Sequence, residues 1–196
     1  MIVLGREVYV CKCSTDVPRE PSASDASPNV EWTLGNRDDF AMVPLEHHED
    51  AHFADFEERL GRGEEWLIGV MGEKIVSYTW LHARSHVSYP YLPGCKFKLG
   101  QGVGYGYDAW THPDLRGEGL RRRGFVEELH VLRTSFGCEW EASFFVKHQL
   151  EGATRSLAKA GIRIVPLWRV RLGENRKAQF ESLAPEDRST EPMDSE

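Results

Sequence analysis

Thr111-His112-Pro113-Asp114-Leu115-Arg116-Gly117-Glu118-Gly119-Leu120-Arg121-Arg122-Arg123 joins a strand pattern to a helix pattern. Val103 to Thr111 reads as the strand. Leu120, Phe125, Leu129, Leu132 and Phe136 share one face of a helix over 120–136. Glycines at such a junction let the backbone approach a bound group closely. The helix start adds unpaired N–H donors and a positive dipole end, which suit a phosphate. Arg121, Arg122 and Arg123 in the first turn oppose that dipole, so the run makes better sense beside anions. A solvated basic helix start after an ordinary glycine turn is the plain alternative, and spacing alone leaves both open.

On the N-terminal side, Arg6 to Cys13 reads as a first strand, and Ser14 to Asn29 as a solvated loop of Ser, Pro and Asp. Pro44 to Leu60 is helical in pattern, with Phe53, Phe56 and Leu60 on one face. Glu65 to Met71 and Ile75 to His82 are strands of a hairpin turned by Gly72-Glu73-Lys74. Ala83 to Gly102, broken by Pro90, Pro93 and Gly94, reads as irregular. On the C-terminal side come a strand over 139–146, a short helix over 151–160 closed by Gly161, and a strand over 162–172. From Gly173 onward a polar, acidic tail is expected to be disordered. Strand–helix–strand–helix–strand demands a parallel crossover, so the expected class is α/β (α+β), a mixed central sheet with flanking helices.

The 196 residues, 40% of them hydrophobic, suit one domain with a real core. A net charge of -7 argues against nucleic acid, and no apolar run approaches the ~20 residues of a membrane helix. Met1 to Arg6 is charged too soon for a signal peptide. Cys11, Cys13, Cys95 and Cys138 have no zinc spacing and read as reduced thiols in a cytoplasm. His48 and His52 share a helical face within His47–His52, but no third ligand is fixed, so no metal is expected.

The run resembles the acyl-coenzyme A signature of the GNAT superfamily, V-x-P-x-x-R-G-x-G-(I/L). Pro113, Arg116, Gly117, Gly119 and Leu120 match it, and Thr111 stands at the Val position. Residues 56–80 look like that family's helix and hairpin. Val146, Ala153, Gly161 and Ile162 match its second motif. Leu150 stands where Asn is common, and Leu157 where many members carry the Tyr that protonates the departing thiolate. The resemblance covers roughly residues 40–172. It divides the chain into an N-terminal strand with a flexible segment (1–39), the acyltransferase domain (40–172) and the tail (173–196). It also implies that the strands flanking the helix splay apart to admit the pantetheine arm of acetyl-CoA or another acyl-CoA.

By that resemblance the protein is an N-acyltransferase moving an acyl group, acetyl foremost, from coenzyme A to a primary amine of a small molecule. Transfer would be direct, with backbone N–H groups near Trp110 and Thr111 polarising the thioester carbonyl. Trp110, Thr111, Arg116, Gly117, Glu118, Gly119, Leu120, Arg121 and Arg122 are the expected coenzyme A contacts. Asp108 and Tyr107 are the catalytic candidates, and His82, Tyr105, His112, His148 and Cys138 the weaker ones. Alternation along a strand would keep Asp108 off the face that Tyr105 and Tyr107 share. The acidic chain and the aromatics Tyr78, Trp80, Tyr89, Tyr91, Tyr105, Tyr107 and Trp110 suit a cationic acceptor with an apolar part. A protein or peptide acceptor, a carrier-protein donor and a non-catalytic acyl-CoA sensor are the alternatives, and a homodimer is allowed.

Overall fold

A computed structural model describes residues 7–17, 29–44, 56–88, 95–172, 178–187 and 189–193. In chain order its strands are β1 (Val8–Ser14), β2 (Glu31–Gly35), β3 (Glu65–Met71), β4 (Lys74–His82), β5 (His86–Ser88), β6 (Lys96–Leu99), β7 (Val103–Thr111), β8 (Trp140–Val146), β9 (Val165–Leu172), β10 (Ala178–Ser182) and β11 (Thr190–Pro192). The α-helices are α1 (Phe56–Gly61), α2 (Leu120–Phe136) and α3 (Lys147–Ala158). The main sheet runs β10-β9-β1-β8-β7-β4-β3-β2, and a small second sheet runs β11-β6-β5. The main sheet is mixed: β7 and β8 pair in parallel, and its other neighbours pair antiparallel.

β7 shows how sequence assigns the two faces. Gly104 and Gly106 alternate with Tyr105 and Tyr107. The glycines lie beneath α2, where a Cβ at Gly104 would stand 2.6 Å from Leu132. The tyrosines lie on the opposite face, stacked with ring centroids 5.4 Å apart. Tyr105 joins Val87, Phe97, Leu99 and Val170 in the core beneath the small sheet. Phe56 of α1 packs edge-on to Trp66 and Trp80 on that side. On the helical side, Leu132 packs with Leu67 and Leu81, and Phe125 and Leu129 with Leu157 of α3.

Several expectations change. The segment over 83–102, expected to be irregular, contains β5 and β6. Their alternation is real, with Val87, Phe97 and Leu99 buried, but it is too short to stand out beside two prolines and a glycine. The expected tail contributes β10 and β11. The first pairs with β9 and the second with β6, and Lys12 pairs with Asp187. β2 also went unread, because an edge strand leaves most of its residues partly or fully exposed. α3 starts at Lys147 rather than Glu151, since it leaves β8 directly and no capping side chain marks its start. The 44–60 helix lies partly outside the described residues, as do His47–His52, Tyr89 and Tyr91. Its described part is Phe56–Gly61.

Candidate active site

β7 and β8 pair only from Val103–Trp140 to Tyr105–Ala142. Beyond that point β7 stays on β4 as far as Thr111, and β8 stays on β1 as far as Val146. Each strand is held by its outer neighbour, so the two fork at Gly106 and Ser143. A bulge bends β7 just past the fork. Tyr107 faces Trp80 and Trp110 faces Tyr78, leaving Thr79 opposite both Asp108 and Ala109. Asp108 takes the extra turn at φ 51, a left-handed conformation that is uncommon for a non-glycine residue. Thr79 Oγ1 donates to the Tyr107 carbonyl at 3.2 Å and Ser77 Oγ to the Trp110 carbonyl at 2.9 Å.

The fork opens into a cleft of 1030 Å³ closed at the side by α3. Gly117 and Gly119 carry the chain into α2 at φ 90 and 77. No side chain caps that helix start, and its first turn holds no acid. Leu120, 1% exposed, anchors the turn in the core. Among the described residues, the charged side chains lining the cleft are Arg116, Arg121, Arg122, Arg155 and Lys159, against Asp108. A protein of net charge -7 thus surrounds this cleft with cations.

The three successive arginines part ways. Arg121 Nη1 folds back to Glu128 Oε2 at 2.8 Å. Arg122 lines the cleft, whereas Arg123 lies off its wall and donates to the Val30 carbonyl at 3.4 Å. Of the residues expected to contact coenzyme A, Trp110, Thr111, Arg116, Gly117, Gly119, Leu120, Arg121 and Arg122 line the cleft, and Glu118 is exposed and does not. Sequence reasoning missed Phe125, Ser143, Phe144, Phe145, Gln149, Gly152, Arg155, Ser156 and Lys159. Gln149, Gly152, Ala153 and Ser156 follow helical i, i+3, i+4, i+7 spacing, a signal that could have found the second wall.

Asp108 Oδ2 accepts from Arg59 Nη1 at 2.6 Å, and that guanidinium lies 5.1 Å from the ring centroids of both Trp80 and Tyr107. Strict alternation therefore fails at the bulge, because one arginine reaches both Asp108 and Tyr107. Two of the aromatic faces expected to receive a cationic acceptor, Trp80 and Tyr107, already hold Arg59. Tyr107 donates its hydroxyl to the buried Glu64, which also takes Arg84 and, at 2.9 Å, Arg62 Nε. Burial and then this hydrogen bond push the phenol above its ordinary range.

Of the weaker candidates, His82 and His112 have structural partners. His82 is buried edge-on to Tyr105 and Tyr107, and its Nδ1 accepts the Arg84 amide at 3.1 Å. Burial, then Arg84, lowers its pKa from 6.5 to about 4. Unfolding therefore takes up a proton between those values, so stability should fall as pH drops through that window. Urea titrations at pH 7, 6, 5 and 4 check this, and His82→Gln should flatten the trend. His112 Nδ1 accepts the Asp114 amide, His148 is exposed, and Cys138 is a buried thiol raised by burial. Among the described residues no His, Cys, Asp and Glu group could hold a metal. No described helix is long and apolar enough to cross a membrane.

Solved structures with this architecture include a GCN5-related N-acetyltransferase from Kribbella flavida, at TM-score 0.51 and 11% identity over 84% of this chain. The chain has the GNAT fold. A GCN5-related glucosamine N-acetyltransferase region of a fungal multi-domain GH3 beta-N-acetylglucosaminidase superposes at TM-score 0.51, with 11% identity over 83% of the chain. A GCN5-related N-acetyltransferase from Sphaerobacter thermophilus does so at 0.50, with 17% identity over 82%. The chain spans 56%, 20% and 49% of these three proteins respectively. No protein-family model matches the sequence, and no curated protein does. At such identities the likeness concerns the GNAT fold, and the residues of the cleft carry the rest.

Proposed function

We propose that this protein is an acyl-coenzyme A-dependent N-acyltransferase, acetyl-CoA being the first donor to test and a small primary amine the acceptor. The supporting observation is the forked cleft, whose mouth is basic on an acidic protein. Coenzyme A is long, apolar toward its thiol and polyanionic at its nucleotide end. The pyrophosphate fits the uncapped start of α2 with Gly117, Gly119 and Arg122 around it. Arg155 and Lys159 supply charge for a further phosphate across the cleft. The pantetheine arm takes the fork, and the bulged backbone at Asp108–Trp110 supplies the amides that face the carbonyl. Asp108, placed by Arg59, takes the amine proton through water, and Tyr107 walls the acceptor side. No metal is invoked.

Calorimetry with coenzyme A and acetyl-CoA at millimolar concentration tests the central claim, and no heat of binding would remove it. Arg122→Ala should weaken binding by about 1–2 kcal/mol and Arg123→Ala should leave it unchanged. Arg155→Ala and Lys159→Ala, measured with coenzyme A and with its form lacking the 3′-phosphate, locate that phosphate. Leu157 favours a second reading. It lies in the core rather than on the cleft, so no tyrosine serves the thiolate there, and the protein would be an acyl-CoA sensor. Thiol release with a panel of primary amines separates enzyme from sensor.

A further inference from the structure

Beneath the fork lies a cluster that the binding scheme above leaves unused. Glu128 of α2 and Glu141 of β8 are 0% and 1% exposed. Arg121 donates to Glu128 Oε2, and Ser143 Oγ donates to Glu141 Oε1 at 2.8 Å. Glu128 Oε1 and Glu141 Oε2 have no hydrogen-bond partner among the described residues. One guanidinium cannot neutralise two buried carboxylates, and burial, then the Glu128 charge, pushes the Glu141 carboxyl well above its usual range. With Arg121 committed to Glu128, this setting favours the neutral form of Glu141. Both carboxyls reach the base of the fork, since a Cβ on Gly106 would stand 2.7 Å from Glu141 Oε1 and 3.5 Å from Glu128 Oε1. Cys13 faces Glu141 from β1 as a neutral thiol.

Ser143 follows the last β8 residue paired with β7 and lines the cleft. An alkyl thiolate is a strong enough base at neutral pH that its departure benefits from a positioned acid. Tyr107 spends its hydroxyl on Glu64, and Asp108 is paired with Arg59. Ser143 is the cleft hydroxyl hydrogen-bonded to a buried carboxyl. We propose that Ser143 Oγ delivers the proton to the departing coenzyme A sulfur and draws its own replacement from Glu141. This rests on the acyl-CoA reading above. The N–C bond forms and the C–S bond breaks, with its electron pair going to sulfur. The Ser143 hydroxyl turns from Glu141 to give its proton to sulfur, and Ser143 Oγ then takes the proton of Glu141, so that the hydrogen bond between the two reverses. The acceptor ammonium yields two protons to solvent in all, and Glu141 recovers one after the thiol leaves. One proton is released per turnover. Ser143 is the catalytic residue in this step, and Glu141 positions and resupplies it.

Infrared difference spectroscopy on the full chain tests the step without turnover. The probes are coenzyme A and desulfo-coenzyme A, in which hydrogen replaces the thiol. The carbonyl band of a neutral carboxyl should be present in the wild type and absent in Glu141→Gln. Coenzyme A should shift it, and desulfo-coenzyme A should not. In Ser143→Ala the band should persist, the shift should vanish, and affinity for desulfo-coenzyme A should be unchanged. Bound coenzyme A with an unmoved band would overturn the proposal. So would an equal shift with desulfo-coenzyme A or in Ser143→Ala, or a band that survives Glu141→Gln. If calorimetry detects no coenzyme A binding, the acyl-CoA reading falls and takes this step with it.

Discussion

Leu157→Ala is expected to destabilise the fold by about 2–5 kcal/mol while leaving coenzyme A affinity within twofold. Leu157 is 4% exposed and packs with Cys11, Cys13, Phe125, Leu129 and Ile162, where α3 meets α2 and β1. Truncation removes that apolar surface and opens a hole that three separate elements must collapse to fill. Leu157 itself does not line the cleft, and of the α3 cleft residues Gln149, Gly152 and Ser156 stand outside its cluster while Ala153 borders both, so a folded fraction should bind normally. Paired urea melts and calorimetry check this. A variant with full stability and no thiol release would show that Leu157 acts in the chemistry, contrary to its packing.

Glu141→Gln should stabilise the protein at neutral pH, with the gain growing as pH rises until Glu141 ionises. The native carboxyl binds its proton more tightly than the same group in the unfolded chain, whose reference value is 4.5. Above that pH the folded state holds one more proton, so wild-type stability falls by about 1.4 kcal/mol per pH unit until Glu141 ionises. The contribution is fully present below pH 4.5 and lost as pH rises through the native value. Glutamine keeps the shape, cannot ionise, and offers an N–H to the unpaired Glu128 oxygen. Denaturant midpoints from pH 5 to 9 in both proteins decide it. Parallel curves would mean that Glu141 is ionised in the fold.

The strand–turn–helix over 103–136 was legible because two periodicities meet at glycines, and the structure repeats its bounds. The hairpin of β3 and β4 was legible for the same reason, each strand carrying enough apolar residues to be unambiguous. β5, β6, β10 and β11 were hidden because three to five residues with one buried face give too few repeats to count. The first cleft wall could be read from the glycine turn. The second was missed although its residues on α3 are helically spaced, because small and polar side chains look like a solvated helix face until a strand pair opens in front of them. The Asp108 bulge was hidden for a geometric reason: alternation assumes one partner per residue, and Thr79 faces two. Ser143 and Glu141 gave no signal, since a buried acid in a strand resembles a surface one until its neighbours are known.

The place of β1 bears on how the chain reaches its native state. That strand is near the start of the sequence, yet in the main sheet it lies between β8 and β9, with Val8 opposite both Val146 and Val170. During synthesis it emerges long before either neighbour exists, carrying Val8, Val10, Cys11 and Cys13 with no surface to receive them. The sheet can close only after β9 has left the ribosome. A nascent chain halted before residue 165 should therefore be a substrate for chaperones that hold extended apolar segments, and refolding from denaturant should be slow, as contacts distant in sequence dictate.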